Sequence, residues 1–292
     1  MRYIKIYPNS GAVQTALAEE TLGKPYLAYL EDEHRIDWNS LGGDEPETAT
    51  PLTLNIISAG TVVFSRQNKN GAPQAPEMSL EYSLNGGAWT PFTSSTTGQT
   101  WQVQPGDTLS FIGDNIAAGS GSRKDSVSQN TFSGSTAWFE LEGNVMSIFS
   151  KTNFDSLTAL TENYQLAGLF RKCTGLTYAT GLTMPLYITY GGCENMFADC
   201  SILIQGPDLD ALTVQSIQNS QDYPWGYESM FKGCTSLRVI KCLMTTYNTG
   251  DDSGRVFSSF YASGSLSRGG TFYTPQGITW SMSNNWTQID DL

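Results

Sequence analysis

The sequence predicts a mainly β protein: a small α+β N-terminal block at 1–42, a linker at 43–51, an antiparallel β-sandwich at 52–149 and a C-terminal repeat solenoid at 150–292. Three observations predict this. Charged residues are only 15% of the chain, while aromatics reach 12% and glycines number 29. Thr, Tyr, Trp and Val fill pleated surfaces, and Gly and Asn make tight turns. A helical bundle needs far more Ala, Glu, Lys and Leu, and a disordered chain far fewer aromatics. The second observation is a series of short apolar runs separated by turn signals. The third is an internal repeat in the last half of the chain.

In the first block, Tyr3–Tyr7 alternates like a strand and ends at Pro8-Asn9. Ser10 is placed to cap a short helix over 12–20. Pro25–Leu30 and Arg35–Trp38 flank the acidic turn Glu31-Asp32-Glu33, which predicts a hairpin. About 40 residues bury too little surface to be stable alone, so this block needs a partner surface or a symmetry mate. The stretch from Gly42 to Pro51 combines Gly, Pro and charge without periodicity, as linkers do.

The second block holds seven strand-like runs: 52–57, 61–64, 78–84, 89–92, 100–103, 108–112 and 136–142. Asn85-Gly86-Gly87 and Pro105-Gly106-Asp107 mark turns between them. Short strands at roughly ten-residue spacing predict an antiparallel, Ig-like β-sandwich. The stretch from Asn115 to Asn130 is too long for a simple connection and is expected to be a loop, either mobile or ligand-binding.

The repeat aligns Leu166–Leu176 with Cys193–Leu203 and Tyr227–Leu237. A degenerate fourth copy runs from Phe257 to Leu266, with Ser263 at the cysteine place. The shared element is an aromatic or apolar residue, then Met/Leu-Phe, Cys and Leu at fixed offsets. Stacked repeats explain it, because each copy buries the same side chains against its neighbours.

Met230-Phe-Lys-Gly-Cys-Thr-Ser-Leu237 resembles the unit of BspA-like leucine-rich repeats, found in surface proteins of gut Bacteroidales and their phages. The resemblance extends to Phe132–Ala137 and Glu142–Ser147 before the repeats, and to Gly270–Tyr273 and Asn285-Trp286 at the end. It implies an irregular leucine-rich-repeat solenoid with a terminal cap. Exported members of that family carry a signal sequence, whereas Met1–Ser10 has neither an apolar core nor a small-residue cleavage site. That difference favours a bacteriophage virion protein, made in the host cytoplasm and placed on the virion surface. It resembles head fibres, capsid decorations and tail fibres of crAss-like phages. The partners so implied are capsid or tail proteins, other copies of the chain (a homotrimer, failing that a dimer) and a host surface glycan or protein. A bacterial cell-surface adhesin of the same repeat type is the alternative, and a glycan-active enzyme a third reading.

The net charge of −12 makes nucleic acid and anionic membranes poor partners, and no apolar run is long enough to span a bilayer. Nine of the 28 acidic residues fall within the first 47 positions. The first block is therefore expected to dock on a complementary surface, through Tyr3, Ile4, Tyr7, Tyr26, Tyr29 and Trp38. Exposed aromatics suit glycans, whose C–H faces are apolar, and the candidates are Tyr223, Trp225, Trp89 and Trp101. Glu140 and Glu142 lie on one strand face about 7 Å apart, within reach of a glycosidase spacing, but alternation alone gives a solvated strand face. Ser83–Trp89 is similar to a sialidase Asp-box, one residue short and with Asn85 for Asp, and is expected to be a plain hairpin. Cys173, Cys193, Cys200, Cys234 and Cys242 lack CxxC spacing and are expected to be reduced and buried rather than zinc ligands. Asp251-Asp252-Ser-Gly254 lacks a calcium-loop pattern. No catalytic residue, metal or cofactor is expected.

Overall fold

A computed structural model describes residues 49–67, 75–116, 129–214, 226–244, 269–276 and 286–290. It also describes the backbone of three N-terminal strands at Ile4–Tyr7, Leu27–Leu30 and Arg35–Ile36. The expected helix at 12–20, the fourth repeat copy and the acidic turn at 251–254 lie outside the described residues. The protein is mainly β, with no α-helix among the described residues. It divides into two compact units, Met1–Thr48 and Ala49–Leu292.

In the first unit β1 (Ile4–Tyr7) pairs in parallel with β2 (Leu27–Leu30). β2 pairs antiparallel with β3 (Arg35–Ile36), Tyr29 opposite Ile36.

The second unit begins with β4 (Leu52–Ile56), β5 (Gly60–Gln67), β6 (Ser79–Leu84), β7 (Thr90–Thr93), β8 (Gln99–Val103) and β9 (Thr108–Gly113). β10 (Gln129–Thr131) and β11 (Phe139–Asn144) follow. β10, β5 and β8 form a three-stranded antiparallel sheet. β11, β4, β9, β6 and β7 form an antiparallel run in that order. Rings join the two sheets edge to face: Trp101 of β8 lies 5.1 Å from Tyr82, 5.4 Å from Phe92 and 5.4 Å from Phe111. Leu52, Leu54, Leu109 and Phe111 are fully buried, as the alternation of β4 and β9 requires.

β10 begins within the last two residues of the segment expected to be a loop and runs one residue past it. Gln-Asn-Thr carries no apolar alternation, yet all three residues are buried, and the Asn130 amide donates to the Pro76 carbonyl at 2.8 Å.

After the 3₁₀ turn Val145–Ile148 come β12 (Leu176–Thr183), β13 (Tyr187–Ile188), β14 (Gln205–Leu209) and β15 (Thr213–Val214). β16 (Val239–Cys242), β17 (Gly270–Tyr273) and β18 (Trp286–Ile289) complete the chain. β12, β14, β16, β17 and β18 add in parallel to the free side of β11. One ten-stranded sheet thus runs through both the strand-rich half and the repeat half, with no break at 149/150. β13 and β15 make a small separate parallel pair.

The repeat motif itself folds as a chain of turns. In 164–173 and 191–200 backbone bonds alternate: one N–H closes a turn on its own segment, and the next donates to the following copy; 226–234 makes the same turn-closing bonds and accepts from the copy before it. Gly168, Phe170 and Lys172 donate to Glu194, Met196 and Ala198, and Asn195, Phe197 and Asp199 donate to Glu228, Met230 and Lys232. A left-handed residue recurs every fourth position: Tyr164, Gly168 and Lys172; Gly191, Asn195 and Asp199; Ser229 and Gly233. Inside this lattice Phe170, Phe197 and Phe231 stack face to face, with centroids 5.5 and 5.6 Å apart.

Phe132 continues the stack, 5.4 Å from Phe170 and nearly parallel to it. Its N–H donates to Leu169 as Phe170 donates to Met196. Gly134 takes the left-handed place and Ser135 the cysteine place, so Phe132–Ser135 is an initial rung that the alignment did not include. The same ring touches Phe64 at 4.8 Å and Phe111 at 5.1 Å, which joins the stack to the core between the two sheets.

Candidate functional site

The ten-stranded sheet has one face in the core and one face outside it. Residues directly opposite one another on paired strands share a face. Phe139 and Leu141 are buried, so Glu140 and Glu142 point to the outer face, where both are half-buried. Glu140 lies opposite Asn55 on β4 and level with Tyr178 on β12, and Tyr178 is level with Gln205 on β14. Asp208 and Lys241 pair at 3.7 Å farther along, and Thr53 shares a hydrogen bond of 2.8 Å with Ser110.

Trp138 completes this face and was not among the sequence candidates. It is 51% exposed, although its neighbours Ala137 and Phe139 are fully buried. Its carbonyl accepts the N–H groups of both Ile57 (2.7 Å) and Ser58 (3.3 Å), and its own N–H donates to the Ser58 hydroxyl at 2.9 Å. Two successive amides on one carbonyl are the pattern of a β-bulge, which re-aims side chains at strand ends. Ile57, 43% exposed, lies beside it. The signal was available in the sequence: Trp138, Glu140 and Glu142 alternate with Ala137, Phe139 and Leu141.

The structure separates the four sequence candidates. Trp89 is 40% exposed at the end of the β6–β7 hairpin, beside exposed Leu84. That turn is held by Ser83, whose hydroxyl donates to the Gly87 carbonyl at 2.7 Å, and by Asn85, which donates to Asp107 at 2.8 Å. This bond and one from the Gln104 N–H hold the Asp107 carboxyl below its usual range. Trp101 is a correction: it is 6% exposed and its ring is enclosed by Tyr82, Phe92 and Phe111, so it offers no face to a ligand. Tyr223 and Trp225 lie outside the described residues. Of the docking candidates, Ile4, Tyr7 and Tyr29 lie on β1 and β2, and Tyr3, Tyr26 and Trp38 lie outside the described residues.

All five thiols are free and buried. The Cys200 thiol donates to the Phe170 carbonyl and the Cys234 thiol to the Phe197 carbonyl, each at 3.0 Å. Cys200 and Cys234 therefore each tie their rung to the preceding one. Burial pushes the Cys242 thiol up to about 12 and raises Cys193 and Cys173 as well, Cys173 also through neighbouring Cys200. Among the described residues no three His, Cys, Asp or Glu side chains gather as metal ligands do.

A separate cavity of about 320 Å³ lies between β6, β7 and Lys151. Lys151 spans it, 3.0 Å from Glu81 and 3.4 Å from Asp114, and these carboxylates, Glu81 first, raise its pKa.

Compared with known proteins, the chain matches no protein-family model, no curated protein and no solved structure.

Proposed function

We propose that this chain is a non-enzymatic bacteriophage virion surface protein, a head fibre, capsid decoration or tail fibre. In this reading the N-terminal block docks to capsid or tail proteins. An Ig-like β-sandwich and a BspA-like leucine-rich-repeat solenoid present a surface for host adhesion. The observation that carries it is the joint between β11 and the repeats. A strand antiparallel to β4 on one side and parallel to β12 on the other makes one sheet of both halves. The division of the chain at Thr48/Ala49 supports a separation of docking from display. The concentration of acidic residues before that point supports a complementary docking surface. The repeat motif from Met230 to Leu237 supports the family reading.

Two measurements test the proposal. Mass spectrometry with immunogold labelling of purified phage particles is expected to find the chain on the particle exterior. Its absence from particles would refute the reading. Light scattering of the full chain is expected to give three times 31.9 kDa, and a stable monomer would remove the trimer.

A further inference from the structure

We infer that the outer face around Trp138, at the junction of β4, β11 and β12, is a binding platform for a neutral polysaccharide chain. This rests on the reading of the larger unit as a display surface and names what that surface takes.

The main chain that carries the ring is held in place. Trp138 stands between two fully buried residues, and three backbone or hydroxyl contacts fix its main chain. An indole on a fixed backbone has only two side-chain torsions left to order when a ligand covers it, which keeps the entropic cost of binding low. Its surroundings are amphipathic. Ile57 extends the apolar patch on one side. Glu140, two residues along the strand, lies about 7 Å away at strand rise. Asn55 and Tyr178 flank Glu140 on the neighbouring strands, and Gln205 lies one strand beyond. A carboxylate, two amides and a phenol beside an indole match a pyranose, which offers an apolar C–H face for stacking and hydroxyls around its rim.

Three features select this occupant. A protein partner would want a contiguous apolar patch, whereas here only Ile57 adjoins the indole and the rest is polar. A polyanion, whether nucleic acid or sulfated sugar, would meet Glu140 and Glu142, and the Lys241 cation on this face is paired to Asp208. A small molecule would want an enclosed pocket, whereas the residues named here are spread over adjacent strands of one sheet, a span that suits an extended chain.

The test is affinity electrophoresis of the full chain in gels containing dextran, mannan, laminarin, xylan or arabinogalactan, with heparin as the anionic comparison. Wild type is expected to be retarded by at least one neutral polymer and not by heparin. Trp138→Ala is expected to lose at least ten-fold in affinity and Glu140→Ala a smaller factor, with Leu212→Ala unchanged. Trp138 is exposed, so the variant's thermal midpoint should match wild type and exclude misfolding as the cause. No retardation by any neutral polymer, equal retardation of Trp138→Ala, or preferential retardation by heparin would each overturn the inference. If Trp138→Ala still adheres to host cells as wild type does, the platform falls while the adhesion reading stands. If the chain is absent from particles, the virion reading falls whatever the gels show.

Discussion

Replacing Phe132 with Ala should destabilise both halves of the larger unit at once. The ring is 1% exposed and meets Phe64 and Phe111 on one side and Phe170 on the other. Truncating a buried Phe to Ala costs about 3–5 kcal/mol, and each ring pair adds roughly 0.5–1.5 kcal/mol beyond burial. Three ring partners keep Phe132→Ala well inside that range, at about 4 kcal/mol. For a unit of this size the thermal midpoint should fall by about 8–16 °C. Phe132→Leu keeps most of the volume and should cost about 1.5 kcal/mol. Urea unfolding gives the free energy, and hydrogen exchange read by mass spectrometry on β4–β9 and β12–β16 peptides locates the loss. Faster exchange in both sets is expected, because one buried cluster runs through both. A loss below about 1 kcal/mol, or faster exchange in one half alone, would refute the role of Phe132 as the joint.

Other outcomes follow from the repeat lattice. Gly233 has φ +78° and a Cβ there would stand 2.4 Å from Asp199 Oδ1, so Gly233→Ala should cost at least about 1–2 kcal/mol by denaturant melts. Lys172 occupies the equivalent left-handed place without being glycine, so Lys172→Gly should stabilise by about 0.5 kcal/mol after the entropy of glycine is deducted. Ellman's reagent should label none of the five buried thiols in the native chain and all five in concentrated urea. Alkali should unfold the protein. Burial holds the folded pKa of Cys242 at about 12. An unfolded thiol titrates near 8.5, so the stability from this group is complete below that pH. It is lost as pH rises toward 12, at roughly 1.4 kcal/mol per pH unit per thiol. Cys242→Ala should flatten the slope of melts recorded between pH 9 and 11.

The strands of the larger unit were legible where apolar alternation meets turn residues. β4 falls within its expected span, β9 runs one residue past its own, β11 starts three residues later and ends two residues later than read, and the Asn85-Gly86 turn ends β6 as read. β10 was not legible because its burial comes from side-chain amide bonding rather than from apolar residues. The rung at Phe132–Ser135 escaped alignment because Ser135 stands for cysteine and only the phenylalanine and the left-handed glycine remain. Trp101 stands among the candidate surface rings in the sequence because a strand face cannot be assigned until the second sheet is known. Trp138 is hard to single out for the opposite reason: its alternation is plain, but its neighbour Ile57, and Asn55 and Tyr178 level with Glu140, come from strands distant in the chain.

β11 also gives the molecule an inheritance. Its antiparallel side is fixed by β4, and its parallel side accepts strand after strand by the same rule. A duplication within the repeat region would widen the sheet by about 4.8 Å per added copy without altering how the chain is attached. At the other margin Pro91 in β7 withholds a backbone donor, so a new strand is resisted there. Breadth can therefore vary between lineages at one border alone, while the bulge that presents Trp138 stays in its original neighbourhood.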